Sequence, residues 1–225
     1  MELHNVLEIG FGGNPLSVAD WHPEGRGGFI PADQKLALLM GILPERVNYV
    51  GIDFPDRLSA EEIARFPKWC RGDVSSSRRA LETYGEDPSK WQRVSLQEMD
   101  ARQMRFADGY FQEVQMHYVL TDPSLGQEDA QRIVSEARRV LQADGVLIVT
   151  GERHRLNKKT QQVDNLEDKA RRLVAASGFS IDDREGSLER NSLLAQPVRR
   201  LYEHRLGAVD FSSGVDPEAY LLIAK

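Results

Sequence analysis

Near the start of the chain, Asn5-Val6-Leu7-Glu8-Ile9-Gly10-Phe11-Gly12-Gly13-Asn14-Pro15 passes from an apolar run straight into a cluster of glycines. A run that ends this way is how an α/β sheet offers the end of a strand to a ligand. Glycine has no Cβ, so the backbone there can turn tightly and come close to a bound molecule. Taken alone, the loop is open to two readings, a nucleotide-like site or only a tight turn.

The rest of the chain repeats the pattern. Val47 to Ile52 runs apolar and ends at Asp53, and Val94 to Met99 ends at Asp100. Phe111 to His117 and Val146 to Thr150 are the fourth and fifth candidate strands, Phe179-Ser180-Ile181 begins a sixth, and Tyr220 to Ala224 is a seventh. Between the fourth and fifth, Gln127 to Gln142 predicts a helix with Ile133, Val134, Ala137, Val140 and Leu141 on one stripe, closed by Asp144-Gly145. A second helix runs from about Leu166 to Ser177 and ends at Gly178. Strands alternating with helices predict a mostly parallel sheet with helices on both faces.

A chain of 225 residues, 40% of them hydrophobic, can bury one substantial core, so residues 1–225 read as a single domain. Longer connections near 21–34, 56–90 and 189–219 read as insertions, the second carrying Cys70 and a helix around Ser77 to Tyr84. No apolar run is long enough to span a membrane, and the first residues do not resemble a secretory signal, which predicts a soluble, cytoplasmic protein. Cys70 is the only cysteine, so neither an intramolecular disulfide nor a thiolate-rich zinc site is expected. The net charge of −6 disfavours binding to nucleic acid through the field of the whole surface.

Two carboxylates give the glycine turn its context. Asp53, ending the second strand, is where such a sheet hydrogen-bonds a ribose diol, or else it caps the following turn. Asp100-Ala101, ending the third, offers a polar contact and an apolar one to an adenine, or else is a loop beside core residues. A dinucleotide is the rival occupant. It fits poorly, because dinucleotide folds place an acidic residue about 20 positions beyond a G-x-G-x-x-G turn, whereas Asn14-Pro15 interrupts the glycines here and Asp53 lies 43 residues beyond Gly10.

Taken in order, these stretches resemble the class I S-adenosylmethionine-dependent methyltransferases, from Val6 to about Thr150. Glu8 to Gly12 is similar to that family's first motif, Val50 to Asp53 to its ribose-binding strand end, and Asp100-Ala101 to its adenine contact. Met104 to Phe111 and Val140 to Leu147 also match stretches of the family. The resemblance implies a Rossmann-like, seven-stranded sheet whose last strand is antiparallel, with S-adenosyl-L-methionine as cofactor. It assigns Glu8, Gly10 and Gly12 to the cofactor's methionine end, Asp53 to the ribose, and Asp100 with Ala101 to the adenine. The sequence departs from the family at Asn14, where a third glycine is expected, and at Gln112, where an Asp is usual.

Acceptor residues are sought at the same sheet edge. His117, at the end of the fourth strand, is the candidate catalytic base, or else a histidine hydrogen-bonded in a strand-end loop. Tyr118, Arg153 and His154 are candidates for binding the acceptor, and Asp122 for capping the helix that follows or else for orienting the acceptor. Arg153, Arg155, Lys158 and Lys159 form a basic run that suits an acidic substrate or a solvated loop, and Arg199, Arg200 and Tyr202 suit a pocket wall or a helix surface. The leading expectation is a methyltransferase acting on a small molecule. The alternatives are a tRNA methyltransferase, which the lack of basic residues in Ser124-Leu125-Gly126-Gln127-Glu128-Asp129 and the acidic total charge disfavour, and a partner subunit that binds cofactor without catalysis.

Overall fold

In the computed structural model, the described residues are 3–10, 47–53, 94–122, 125–157, 161–184, 192 and 219–225. They form β1 (His4–Ile9), β2 (Val47–Asp53), β3 (Val94–Glu98), β4 (Phe111–His117), α1 (Gln127–Val140), β5 (Leu141–Glu152), β6 (His154–Asn157), β7 (Gln162–Asn165), α2 (Leu166–Ala176) and β8 (Ala219–Ala224). The expected insertions at 21–34 and 56–90 lie outside the described residues, and of 189–219 only Ser192 and Ala219 are described. Gly12, Cys70, the helix expected at 77–84, Lys158, Lys159, Arg199, Arg200 and Tyr202 also lie outside them.

The main sheet has the order β3-β2-β1-β4-β5-β8. Every neighbouring pair is parallel except β5 with β8, which is antiparallel. This is the Rossmann-like arrangement expected, with its strand order reversing beside β1. Because side chains alternate across a strand, each residue set faces one side. Leu7, Ile9, Ile52, Val114, Met116, Leu147, Val149 and Leu222 join the main apolar core, where Ile133, Val134 and Ala137 of α1 and Leu173 and Val174 of α2 pack against them. The opposite face carries Glu8, Glu113, Gln115, His117 and Thr150, all buried.

Three details differ from expectation. The helix α1 stops at Val140, and Leu141 already pairs with Phe111 as the start of β5. Residues 142–145 are an irregularity within that ladder, since Phe111 pairs with Leu141 but Glu113 with Val146. Gly145 therefore does not close the helix. Its missing Cβ makes room for the Leu141 side chain, which a Cβ would meet at 2.8 Å, and for the Gln112 carbonyl at 3.0 Å.

Among the described residues the sixth strand is a bridge from Ile181 to Ala224, and the main sheet counts six strands where seven were expected. Ser180 and Lys225 still exchange backbone hydrogen bonds of 2.6 and 2.9 Å. The run is pinched between Gly178, at φ +83°, and Asp182, whose carboxylate turns onto Arg184 at 2.7 Å. The third difference is the β6–β7 hairpin, where the charge run had suggested a loop. Asn165 closes this hairpin and caps α2, its side chain accepting the Asp168 N–H at 3.0 Å.

The segment 104–110, between β3 and β4, is moored to α1. The Arg139 guanidinium donates to the carbonyls of Phe106 (2.8 Å) and Met104 (2.9 Å) and to Asp108 (2.7 Å), while Glu136 accepts the Met104 N–H at 2.7 Å. Arg139 holds the Glu136 carboxyl below its ordinary value of 4.5. A lowered carboxyl stabilises the fold above its unfolded pKa and loses that contribution as pH falls through the lowered value. Arg139→Ala is expected to cost about 1–3 kcal/mol at pH 7, the range for hydrogen bonds to a charged group. Urea unfolding at several pH values should show the gap between parent and variant narrowing below about pH 4.5.

Candidate functional site

The carboxyl ends of β1 to β5 form one edge, and an open α/β sheet binds ligands where its strand order reverses. Here that point is the gap between β1 and β4. Gly10 leaves β1 at φ +73°, a conformation side chains rarely adopt, and its N–H donates to the Ile52 carbonyl at 2.8 Å. A Cβ on Gly10 would lie 2.7 Å from a Val119 methyl on the loop after β4. The turn thus brings bare backbone between the ends of β1 and β4. Just below it, Glu8 is fully buried and its carboxylate accepts the Tyr49 hydroxyl of β2.

Asp53 is the last residue of β2, opposite Glu98 in register, and its carbonyl accepts the Met99 N–H at 2.9 Å. The next carboxylate, Asp100, is gripped by a residue the sequence reading passed over. Arg102 donates its backbone N–H to Oδ1 at 2.8 Å and its guanidinium to Oδ2 at 2.8 Å, and reaches Asp129 of α1 at 3.3 Å. Those hydrogen bonds hold the Asp100 carboxyl below the usual carboxylate range, against the opposing effect of burial. Ala101 and Phe106, both partly buried, pack on the main core beside it. Gly10, Asp53 and Asp100 therefore come together on adjacent strand ends, although they are far apart in sequence.

At the end of β4, His117 is 8% exposed and lies in register with Thr150 of β5. Its Nδ1 is 2.9 Å from the Thr150 hydroxyl, and its Nε2 is 3.2 Å from the Gln115 side-chain oxygen. Tyr118, the next residue, takes φ 60° and leaves its side chain exposed. A non-glycine residue in that region is uncommon. Two hydrogen bonds hold it there, its N–H donating to the Thr150 carbonyl at 2.9 Å and its own carbonyl accepting the Thr121 hydroxyl at 3.2 Å.

The other acceptor candidates are placed differently from one another. Arg153 turns its Nε onto Glu167 at 2.8 Å, so it is tied to α2. Arg155 pairs with Glu152 at 2.8 Å, and His154 is exposed at the start of β6. Asp122 does not cap α1: Gly126 is the N-cap, with no side-chain cap, and Asp122 instead lies in a backbone turn whose carbonyl accepts the Leu125 N–H at 3.1 Å. The helix starts too far along the chain for Asp122 to reach its first turn.

Thr150, Gln115 and Glu113 were missed as neighbours of His117. The available signal was the polar set Glu113, Gln115 and His117 at alternating positions of a strand that, as a central member of a parallel sheet, should be apolar on both faces.

Residues 70–149 match the family described as "Methyltransferase domain". The described part of that match runs from β3 through β4 and α1 into β5. This stretch is thus similar to methyltransferase domains over 80 of the chain's 225 residues. Among curated proteins none matches the sequence.

Solved structures share this chain's fold at low identity. The PH0226 protein from Pyrococcus horikoshii OT3 is 14% identical with a TM-score of 0.51, covering 100% of this chain and 82% of that one. The glycopeptide N-methyltransferase MtfA, solved in complex with S-adenosylmethionine, is 12% identical with a TM-score of 0.50, covering 99% and 81%.

The residues at this edge fit S-adenosyl-L-methionine, the molecule with which the glycopeptide N-methyltransferase MtfA was solved. Gly10 makes a cradle that a Cβ would fill, and two carboxylates stand on the neighbouring strand ends, as a ligand with a ribose diol and an adenine amino group requires. Among the described residues no helix is long and apolar enough to cross a membrane.

Proposed function

We propose that this chain is an enzyme that methylates a small molecule at the edge formed by β1, β2, β3, β4 and β5. The observation that carries the reading is the Gly10 turn, left-handed and closed against Val119, with Asp53 and Asp100 beside it. S-adenosylmethionine supplies an electrophilic methyl on a positively charged sulfur when it is bound. Gly10, with Gly12 two residues on in the sequence, would hold its methionine end, and Glu8 supports Gly10 from within the sheet through Tyr49. Asp53 accepts from the ribose hydroxyls. Asp100, held ionised and in place by Arg102, accepts from the adenine amino group, and Ala101 lies against the ring.

For an acceptor that loses a proton, His117 takes that proton. Tyr118 stands exposed beside it, and Tyr118, Arg153 and His154 border the acceptor. A small molecule is favoured over RNA by the charge of −6 and by the pairing of Arg153 and Arg155 with carboxylates, which leaves these arginines matched within the protein. The sheet takes strands from both ends of the chain, β1 and β8, which supports reading 1–225 as one domain.

The test is a panel of small-molecule acceptors and total tRNA offered with methyl-labelled cofactor. Label appearing in a small-molecule product supports the proposal. Label appearing only in RNA assigns the other acceptor class, and no transfer to any acceptor by a protein that binds the cofactor favours the non-catalytic partner subunit.

A further inference from the structure

The face of the sheet opposite the two described helices carries a buried polar chain that cofactor binding does not use. It runs along β4, where Glu113, Gln115 and His117 share one face because their positions alternate. Glu113 and Gln115 are fully buried. The Gln115 amide nitrogen donates to Glu113 Oε1, and the same oxygen accepts the Ser192 hydroxyl at 2.7 Å. His4, on β1, brings its Nε2 to 3.8 Å from Glu113 Oε2. At the other end, the Gln115 oxygen faces His117 Nε2 at 3.2 Å, and Thr150 faces His117 Nδ1 at 2.9 Å.

We propose that Glu113 and Gln115 are positioning residues that fix His117 as the Nε2–H tautomer and so make Nδ1 its basic atom. The inference follows from what each group can donate. Glu113 Oε1 accepts the Ser192 hydroxyl and so meets Gln115 as an acceptor, drawing the NH2 of Gln115 toward itself. That leaves the amide oxygen for His117. A carbonyl oxygen also only accepts, so His117 Nε2 must carry the hydrogen, and the ring's lone pair is on Nδ1.

Thr150 suits both states of the ring, because a hydroxyl can donate or accept. Toward neutral His117 it donates to Nδ1. Once Nδ1 has taken a proton, the hydroxyl hydrogen points away and the oxygen accepts from Nδ1–H without the heavy atoms moving. In the transfer the acceptor's X–H bond breaks with its electron pair staying on X, the proton passes to Thr150 Oγ1, and the hydroxyl's own hydrogen moves to Nδ1, where an N–H bond forms. The imidazolium keeps its Nε2–H on Gln115, whose amide dipole links it to the Glu113 carboxylate.

The tautomer is a property of the fold, while its use in turnover rests on the reading of His117 as base. The two are tested separately. Nitrogen-15 NMR of the histidine rings in the full chain, with the His117 signals assigned from their loss in His117→Gln, reads which ring nitrogen is protonated without cofactor or acceptor. The expected spectrum shows Nε2 protonated, with the other tautomer disfavoured about tenfold, the ratio that one hydrogen bond sets.

Glu113→Gln keeps the shape but allows the Gln115 amide to turn over, and it should bring the two tautomers within about threefold of each other. Gln115→Met, close to Gln in length, should do the same if Glu113→Gln does not fold. A parent with Nδ1 protonated or with tautomers averaged, or folded variants with the parental tautomer, would overturn the proposal. An Nε2–H parent that shifts as expected, combined with undiminished turnover in His117→Gln, would keep the tautomer assignment and remove only the base.

Discussion

His117→Ala is expected to lower turnover about 10²–10⁴-fold at saturating cofactor and acceptor, the usual contribution of a general base. The acceptor must be one that loses a proton as it is methylated. S-adenosylmethionine affinity should stay within about twofold, because the cofactor's proposed ligands on β1, β2 and β3 do not include the ring. The size of the effect depends on the ring's placement. It is nearly buried at the strand end, and Thr150 and Gln115 hold both its nitrogens in one orientation, so the proton need not wait for a rare side-chain conformation. Initial rates and calorimetric binding on the same preparation separate the two quantities. A variant that turns over at the parental rate would return His117 to a structural role.

Gly10→Ala should have the next largest effect, and it acts on both stability and binding. A left-handed residue other than glycine costs about 1–2 kcal/mol. The added Cβ would also lie 2.7 Å from Val119 Cγ2, and overpacking of this kind typically costs about 1–3 kcal/mol more. Part of that cost is relieved if the loop after β4 shifts, and the same shift moves the cofactor crevice. The variant is therefore expected to unfold at lower denaturant and to lose most of its S-adenosylmethionine binding. Adding Val119→Ala removes the contact but keeps the unfavourable φ. The double variant should regain the overpacking part of the stability and keep the remaining deficit, and equal stability of Gly10→Ala and the parent would show that the turn does not need glycine.

How far the fold could be read from the sequence depended on how local each signal was. The strands at 4–9, 47–53, 94–98 and 111–117 were legible because each is a short apolar run ended by a glycine, a carboxylate or a polar strand end. The boundary at Val140 was not, since Leu141 continues the helical stripe and only its pairing with Phe111 makes it a strand. The β6–β7 hairpin was hidden by its charges. Its apolar pair, Leu156 opposite Val163, is exposed and leaves little alternation to detect.

The site divides in the same way. The placement of Gly10, Asp53, Asp100 and His117 at one edge was legible because strand ends converge there in an α/β sheet. Arg102's hold on Asp100, the Arg153–Glu167 pair and the Glu113–Gln115–His117 chain depend on side-chain directions and on contacts across strands and helices, which a linear pattern does not record.

The β1–β2 edge is expected to bind S-adenosylmethionine through its ribose and not a dinucleotide through its pyrophosphate. The most direct measurement is calorimetric titration of the parent and of Asp53→Ala with S-adenosylmethionine, with NADH titrated into the parent as a control. The expected result is a micromolar Kd for the parent, roughly −8 kcal/mol. Asp53→Ala should bind at least about tenfold more weakly, as expected for loss of a charged hydrogen-bond acceptor, and NADH should give no saturable heat. A folded Asp53→Ala that binds as tightly as the parent, or NADH that saturates a site from which S-adenosylmethionine does not displace it, would contradict the claim.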